Sequence, residues 1–209
     1  MKLFYLLAAP AAASLFQVSA ASNAKETSDD GCFAWDFDNE PPFHPDDWKY
    51  CQRITDDIHI YYTPMPDTGH VMLGLHASDA YGWTALGPSG NGGMKGASQI
   101  VVRKDGDDGE WIAEDRYSME YASPSLDDKQ DVQLLFATQD EETGETAWGV
   151  LIPQDSCDEP YDYPLEDREM PLIWAMGNSH DFSFHGVRRG SATVNLMGSP
   201  PTAPDLGGY

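Results

Sequence analysis

The sequence predicts an all-β protein, an antiparallel sandwich or barrel, and three observations carry that prediction. Nine short runs rich in β-branched, aromatic and aliphatic residues follow one another between residues 58 and 197, with turn residues between them. No run has convincing helical spacing. Alternation marks half-buried strands: Val132, Leu134 and Phe136 fall on one face of their run, and Trp148, Val150 and Ile152 on one face of theirs. With 209 residues, 41% of them hydrophobic, the chain has material for one sizeable core and one domain.

The first runs are IHIYY (58–62), VMLGLHA (71–77), GWTALG (82–87) and SQIVVR (98–103). WIAEDRYS (111–118) and VQLLFAT (132–138) follow, then AWGVLI (147–152), LIWAMG (172–177) and TVNLM (193–197). QDEETGET (139–146) reads as a hairpin turn in which Gly144 supplies the positive φ. Antiparallel pairing is the economical way to bury so many short strands.

The ends read differently. Lys2, the apolar run Leu3 to Phe16 and the small-residue exit Val18-Ser19-Ala20 predict a secretory signal peptide over residues 1–20. Residues 21–56 form a polar, acidic, proline-bearing lead-in, the sandwich spans 57–198, and 199–209 is a flexible tail. No later run has the roughly 20 apolar residues of a membrane helix, so a secreted, extracellular protein without a membrane span is expected.

Lys plus Arg number 12 and Asp plus Glu 35, so 12 − 35 gives −23, or −24 once Lys2 leaves with the signal. Such a surface repels nucleic acid and favours cationic partners. Cys32, Cys51 and Cys157 remain after cleavage; two are expected to pair in an oxidising compartment, and the sequence leaves all three pairings open.

Hydrolytic signatures are absent: there is no Gly-x-Ser-x-Gly, no His-Glu-x-x-His and no phosphate-cradling loop. DGDDGE (105–110) fails the calcium-loop spacing and reads as a solvated turn, and SLDDKQD (125–131) as a surface loop. His59 and His76 read as ordinary strand histidines.

Two features stand out. SGNGGMKGAS (89–98) sets Met94 among glycines, and DFSFHGVRRGS (181–191) sets His185 in a turn before the last strand. Taken alone, Met94 fits a core role in a tight loop as well as a soft-metal ligand. Paired with His185 it would supply Met/His axial ligation of haem iron, a closed site that passes electrons. Loops at one end of a sandwich converge on a common patch, so the sequence separation is no obstacle.

From about Ile58 to Met197 the chain resembles the DOMON domain. The resemblance runs through GWTALGPSGNGGMKGASQIVV (82–102), DRYS (115–118), QDVQLLFA (130–137), SCDEPYDYPLED (156–167), LIWAMG (172–177) and FHGVRRGSATVNLM (184–197). It implies an immunoglobulin-like antiparallel β-sandwich. One branch of the family, which includes the cytochrome domain of cellobiose dehydrogenase and the plant apoplastic b-type cytochromes, holds haem b between a methionine and a histidine. Met94 and His185 match those two positions.

The other branch resembles the amino-terminal domain of dopamine β-monooxygenase, lacks haem and is associated with a metal ion held by acidic residues after the turn. Here Gly96-Ala97-Ser98-Gln99-Ile100 carries no Asp at that place, which favours the haem branch. Arg188 and Arg189 are candidates for the haem propionates or for a plain surface role. Trp83 and Trp174 are candidates for a haem face or for core packing, and His180 is the second candidate ligand.

The implied function is single-electron transfer between extracellular redox partners, with a flavin dehydrogenase or a copper oxidase as the class of partner. It is a carrier's role more than an enzyme's. The alternatives are a haem-free module that binds a carbohydrate or other small ligand, and a metal-structured accessory domain of a monooxygenase-like system.

Overall fold

The structure, a computed structural model, describes residues 31–34, 42–106, 109–158 and 160–200. The expected signal peptide, part of the lead-in and most of the tail lie outside these residues. No helix forms among them. Eleven strands do: β1 (Tyr50–Thr55), β2 (Ile58–Met65), β3 (His70–Ala77), β4 (Thr84–Pro88), β5 (Ala97–Lys104), β6 (Trp111–Ser118), β7 (Ser125–Leu126), β8 (Gln133–Gln139), β9 (Thr146–Pro153), β10 (Met170–Met176) and β11 (Arg189–Val194).

They build two antiparallel sheets, one in the order β1-β2-β3-β9-β8 and the other in the order β11-β10-β4-β5-β6-β7. The all-β antiparallel sandwich expected from the sequence is therefore present. Each of the nine predicted runs overlaps an observed strand, and β1 and β7 are additional. β1 pairs with β2 inside the stretch read from sequence as a lead-in. The last run lies earlier than expected, because β11 opens at Arg189 in register with Ala175.

Between the sheets Ile58, Ile60, Tyr62, Leu73, Leu75, Leu86, Ile100, Trp148, Val150 and Leu172 form one buried cluster. Each large side chain sealed there contributes about 1.5–3 kcal/mol of burial free energy. Trp148 Nε1 donates to Thr84 Oγ1 across the gap at 2.7 Å, tying β9 of one sheet to β4 of the other. A polar bond in this core fixes how the sheets sit on each other.

The expected alternation in VQLLFAT breaks. A β-bulge between Leu134 and Phe136 shifts the register of β8 on β9. Leu134 stays with the main core, while Phe136 turns to the opposite face and packs with Phe43, Trp48 and Tyr61. Phe43 stacks on Tyr61 with ring centroids 3.8 Å apart. A disulfide joins Cys32 to Cys51, and Cys157 is a free, exposed thiol. The described part of the segment before β1 thus packs on the outer face of the five-stranded sheet, and the loops after β4 and β10 approach the outer face of the six-stranded one.

SLDDKQD is more than a surface loop. Its first two residues are β7, and Asp127 behind them is buried. Gln130 closes the segment onto Asp115 by accepting from the Asp115 N–H at 2.9 Å and donating to its carbonyl at 2.9 Å. The described ends of DGDDGE connect β5 to β6, with Asp105 N–H donating to Glu110 O at 2.9 Å.

Candidate functional site

The outer face of the six-stranded sheet has a floor of small residues. Strand pairing aligns Val101 with Ala85 and Ala85 with Ala175, and in the next row Gly87 with Ile173 and Ile173 with Ser191. Trp83, Ala85, Val101, Ala175 and Phe182 form a cluster separate from the core. Small side chains over adjacent strands leave room above the floor that large ones would fill.

The glycine loop leaves this floor at the end of β4. Ser89 Oγ donates to Gly93 O at 2.6 Å and Gly93 N–H donates to Asn91 Oδ1 at 2.8 Å, so the loop closes on itself. Gly92, at φ 76°, stands over the floor: a Cβ there would lie 3.7 Å from Pro171 and 3.9 Å from Ser191. On the loop's other side a Cβ at Gly90 would come within 2.7 Å of the Tyr163 hydroxyl. Glycine is needed at both points for a left-handed turn and for close approach. Met94 is half-buried at the loop's far end, where its carbonyl accepts from Ala97 N–H at 3.1 Å.

His185 belongs to an arch between β10 and β11. The feet of the arch are fastened by Gly177 N–H to Trp83 O at 2.8 Å and by Trp83 N–H to Ser179 O at 3.0 Å. The imidazole is half-buried, with Phe184 at 4.9 Å and Trp83 at 6.5 Å between ring centroids. Arg189 Nη1 approaches its Nδ1 to 3.4 Å, at the start of β11.

The sequence reading brought both loops to one end of the sandwich. The structure corrects this: antiparallel pairing of β4 with β10 sends them out at opposite ends, and both stand over the same outer face. Gly92 lies by Ser191 and the His185 ring by the Arg189 guanidinium, and these two β11 residues share the outer face.

The donor chemistry fits a haem iron. His185 Nδ1 lies 3.1 Å from Gly186 O, and in the tautomer whose Nδ1–H donates to that carbonyl the lone pair is on Nε2. A metal-ligating histidine has this pattern, with its other ring nitrogen held by a carbonyl. Arg189 Nη1 also donates to Gly186 O, which ties the arch to the start of β11. Met94 carries the one soft thioether on the glycine loop.

The remaining candidates divide. Trp83 is buried on the floor, and its Nε1 has no hydrogen-bond partner among the described residues. Trp174 is on the other side of the sheet, packed against the main core and laid across Gly190, whose Cβ position is 2.7 Å from the indole. It does not join Trp83. Arg188 donates from Nη1 to Asn178 Oδ1 at 2.7 Å and to Gly177 O at 3.2 Å, and from Nη2 to Asp79 O. Its guanidinium braces the foot of the arch. His180 is buried and accepts at Nδ1 from Lys104 N–H at 3.2 Å.

Sequence reasoning passed over two groups on β6, Asp115 and Arg116. Asp115 is buried at the edge of a cleft of about 40 Å³ that Ser98, Asp131, Asp162 and Tyr163 also line. Burial, then repulsion from Asp162 and Asp127, pushes its carboxyl up to about 8. Arg116 on β6 reaches Phe182 across the floor, its guanidinium carbon 4.6 Å from the ring centroid. Neither shows in a linear pattern, because each depends on register between segments. Among the described residues no group of three His, Cys, Asp or Glu side chains is placed to hold a metal ion.

A model of the DOMON domain family matches residues 55–177. Similar solved structures are the cytochrome domain of Myriococcum thermophilum cellobiose dehydrogenase and the cytochrome b domain of Coprinopsis cinerea pyranose dehydrogenase. The first has a TM-score of 0.54 at 11% identity, covering 72% of this chain and 83% of that one. The second has a TM-score of 0.54 at 12% identity, covering 70% and 80%. At these identities the likeness is one of fold. No helix among the described residues is long and apolar enough to cross a membrane. The chain belongs to the DOMON family.

Proposed function

We propose that this DOMON-family chain is a secreted carrier of single electrons that holds haem b between Met94 and His185. One observation carries the reading. A glycine-rich loop bearing Met94 and an anchored arch bearing His185 stand over one floor of small residues, and the contact of His185 Nδ1 with Gly186 O suits ligation through Nε2. The two similar solved structures, named as cytochrome domains, support the same cofactor.

Each part of the chain has a task in this reading. Gly186 O fixes the His185 tautomer, the glycines let the Met94 loop close over the floor, and Trp83 seals one end from water. Met94 and His185 would hold the haem, which would supply one-electron chemistry. Bond-making chemistry belongs to partners, a flavin dehydrogenase as donor or a copper oxidase as acceptor. The Cys32–Cys51 bond accords with an oxidising, extracellular setting.

The test is a titration of the purified protein with haemin, followed by quenching of tryptophan fluorescence. Saturation at one haemin per chain, with affinity reduced about tenfold or more in Met94→Ala and His185→Ala, is expected. Equal, weak binding by all three proteins would contradict the reading.

A further inference from the structure

We infer that Phe182, clasped between Trp83 and Arg116, is the positioning residue that holds His185 in place for its ligand role; the inference rests on the haem reading above. The arch has firm feet and a loose crown. Its feet carry the bonds from Gly177 and Ser179 to Trp83 and from Arg188 to Gly177 and Asn178. Its crown carries Phe184 and Val187, which are 81% and 93% exposed, so beyond the Arg189 bond to Gly186 O the crown has no apolar hold on the sheet.

Phe182 supplies that hold. Its ring meets Trp83 edge-on with centroids 4.8 Å apart, and the Arg116 guanidinium covers its face at 4.6 Å. Edge-to-face and cation–π contacts of this kind are each worth a substantial fraction of a tenfold factor or more. The clasp is itself rigid, because Arg116 donates to Glu114 Oε2 at 2.9 Å and to Pro124 O at 2.8 Å. Glu114 also accepts from Arg103 at 2.8 Å. Burial opposes the charge on Glu114, yet the two guanidinium groups keep its carboxyl below the ordinary range, so the network stays ionised.

Two residues separate Phe182 from His185. A fixed Phe182 therefore restricts the imidazole to a small arc, whereas a released one lets it swing off the metal and admit an external ligand.

The experiment uses haem-loaded protein and compares wild type with Phe182→Ala, Phe182→Tyr and Arg116→Met. It reads carbon monoxide uptake by the reduced form, haem loss to excess apomyoglobin, and strand content by circular dichroism. Phe182→Ala should keep its strand content, take up carbon monoxide that wild type refuses, and lose haem roughly tenfold faster. Arg116→Met should fall between the two, and Phe182→Tyr should match wild type. A folded Phe182→Ala that refuses carbon monoxide and keeps haem as wild type does would overturn the inference. Should Phe182→Ala fail to fold, wild-type behaviour of Arg116→Met overturns it instead. Failure of wild type to take up any haem is a separate result, which removes the haem reading and this inference with it.

Discussion

His185 Nδ1 lies 3.1 Å from the carbonyl oxygen of Gly186, a residue held at φ 60°. The two features depend on each other: the left-handed backbone at Gly186 turns its carbonyl towards the ring that precedes it. A Cβ at Gly186 would meet nothing within 4 Å, so the cost of adding one is conformational. Gly186→Ala should lower stability by about 1 kcal/mol through the left-handed φ and weaken haemin binding severalfold. Thermal unfolding and haemin titration of the same preparation check both effects.

Gly177 covers the indole of Trp83. A Cβ there would stand 2.2 Å from Nε1, which forces the buried ring to move. Gly177→Ala should cost about 1–3 kcal/mol by overpacking and disturb the arch at its foot. Denaturant unfolding gives the loss, and a change in tryptophan emission gives the displaced ring.

Reduction of Cys32–Cys51, or the double change Cys32→Ser with Cys51→Ser, should lower stability by about 2–4 kcal/mol. The bond spans 19 residues and fastens to β1 the segment that carries Phe43 and Trp48, which pack on Tyr61 of β2. Emission from Trp48 should shift to the red before the main sandwich unfolds. Coincident loss of both signals would show that the cover and the sandwich form one cooperative unit.

Asp115 makes stability fall with rising pH. Its folded carboxyl titrates at about 8, well above the ordinary 3.8, so the folded state binds the proton more tightly. Stability from this group is complete below the unfolded value and is lost as pH climbs through 8. Asp115→Asn removes that loss, and its stability relative to wild type should rise on the order of 2 kcal/mol between pH 5 and pH 8.5. Urea unfolding across that range decides; parallel curves for the two proteins would contradict the assignment.

His76 acts in the opposite direction. Burial, then the proximity of His59, lowers its imidazole to about 3, so it is neutral when folded and donates from Nε2 to Glu145 at 2.9 Å. Its contribution is complete above 6.5 and is lost as pH falls towards 3. His76→Gln should flatten the acid limb of the stability curve below pH 6.5 in the same urea experiments.

Much of the fold was legible because the runs between turns carry their own period: Trp148, Val150 and Ile152 do face the core. Phe136 was misread because a bulge in β8 reverses the face, and a bulge needs its partner strand to be seen. β1 was hidden by the polar texture of YCQRIT, whose place is set by pairing with β2 and by a disulfide that the sequence left unassigned. At the site, Met94 and His185 stood out by their glycine-rich and aromatic surroundings. The roles of Trp174, Arg188 and Phe182 depend on which face each side chain takes and on contacts across the sheet, which linear spacing does not carry.

The most direct measurement is the visible absorption spectrum of the protein produced with ample haem, oxidised and then reduced, beside Met94→Ala and His185→Ala. The account predicts a Soret band with sharp low-spin bands on reduction, altered in both variants. A folded protein without those bands, or bands that neither substitution changes, would contradict it.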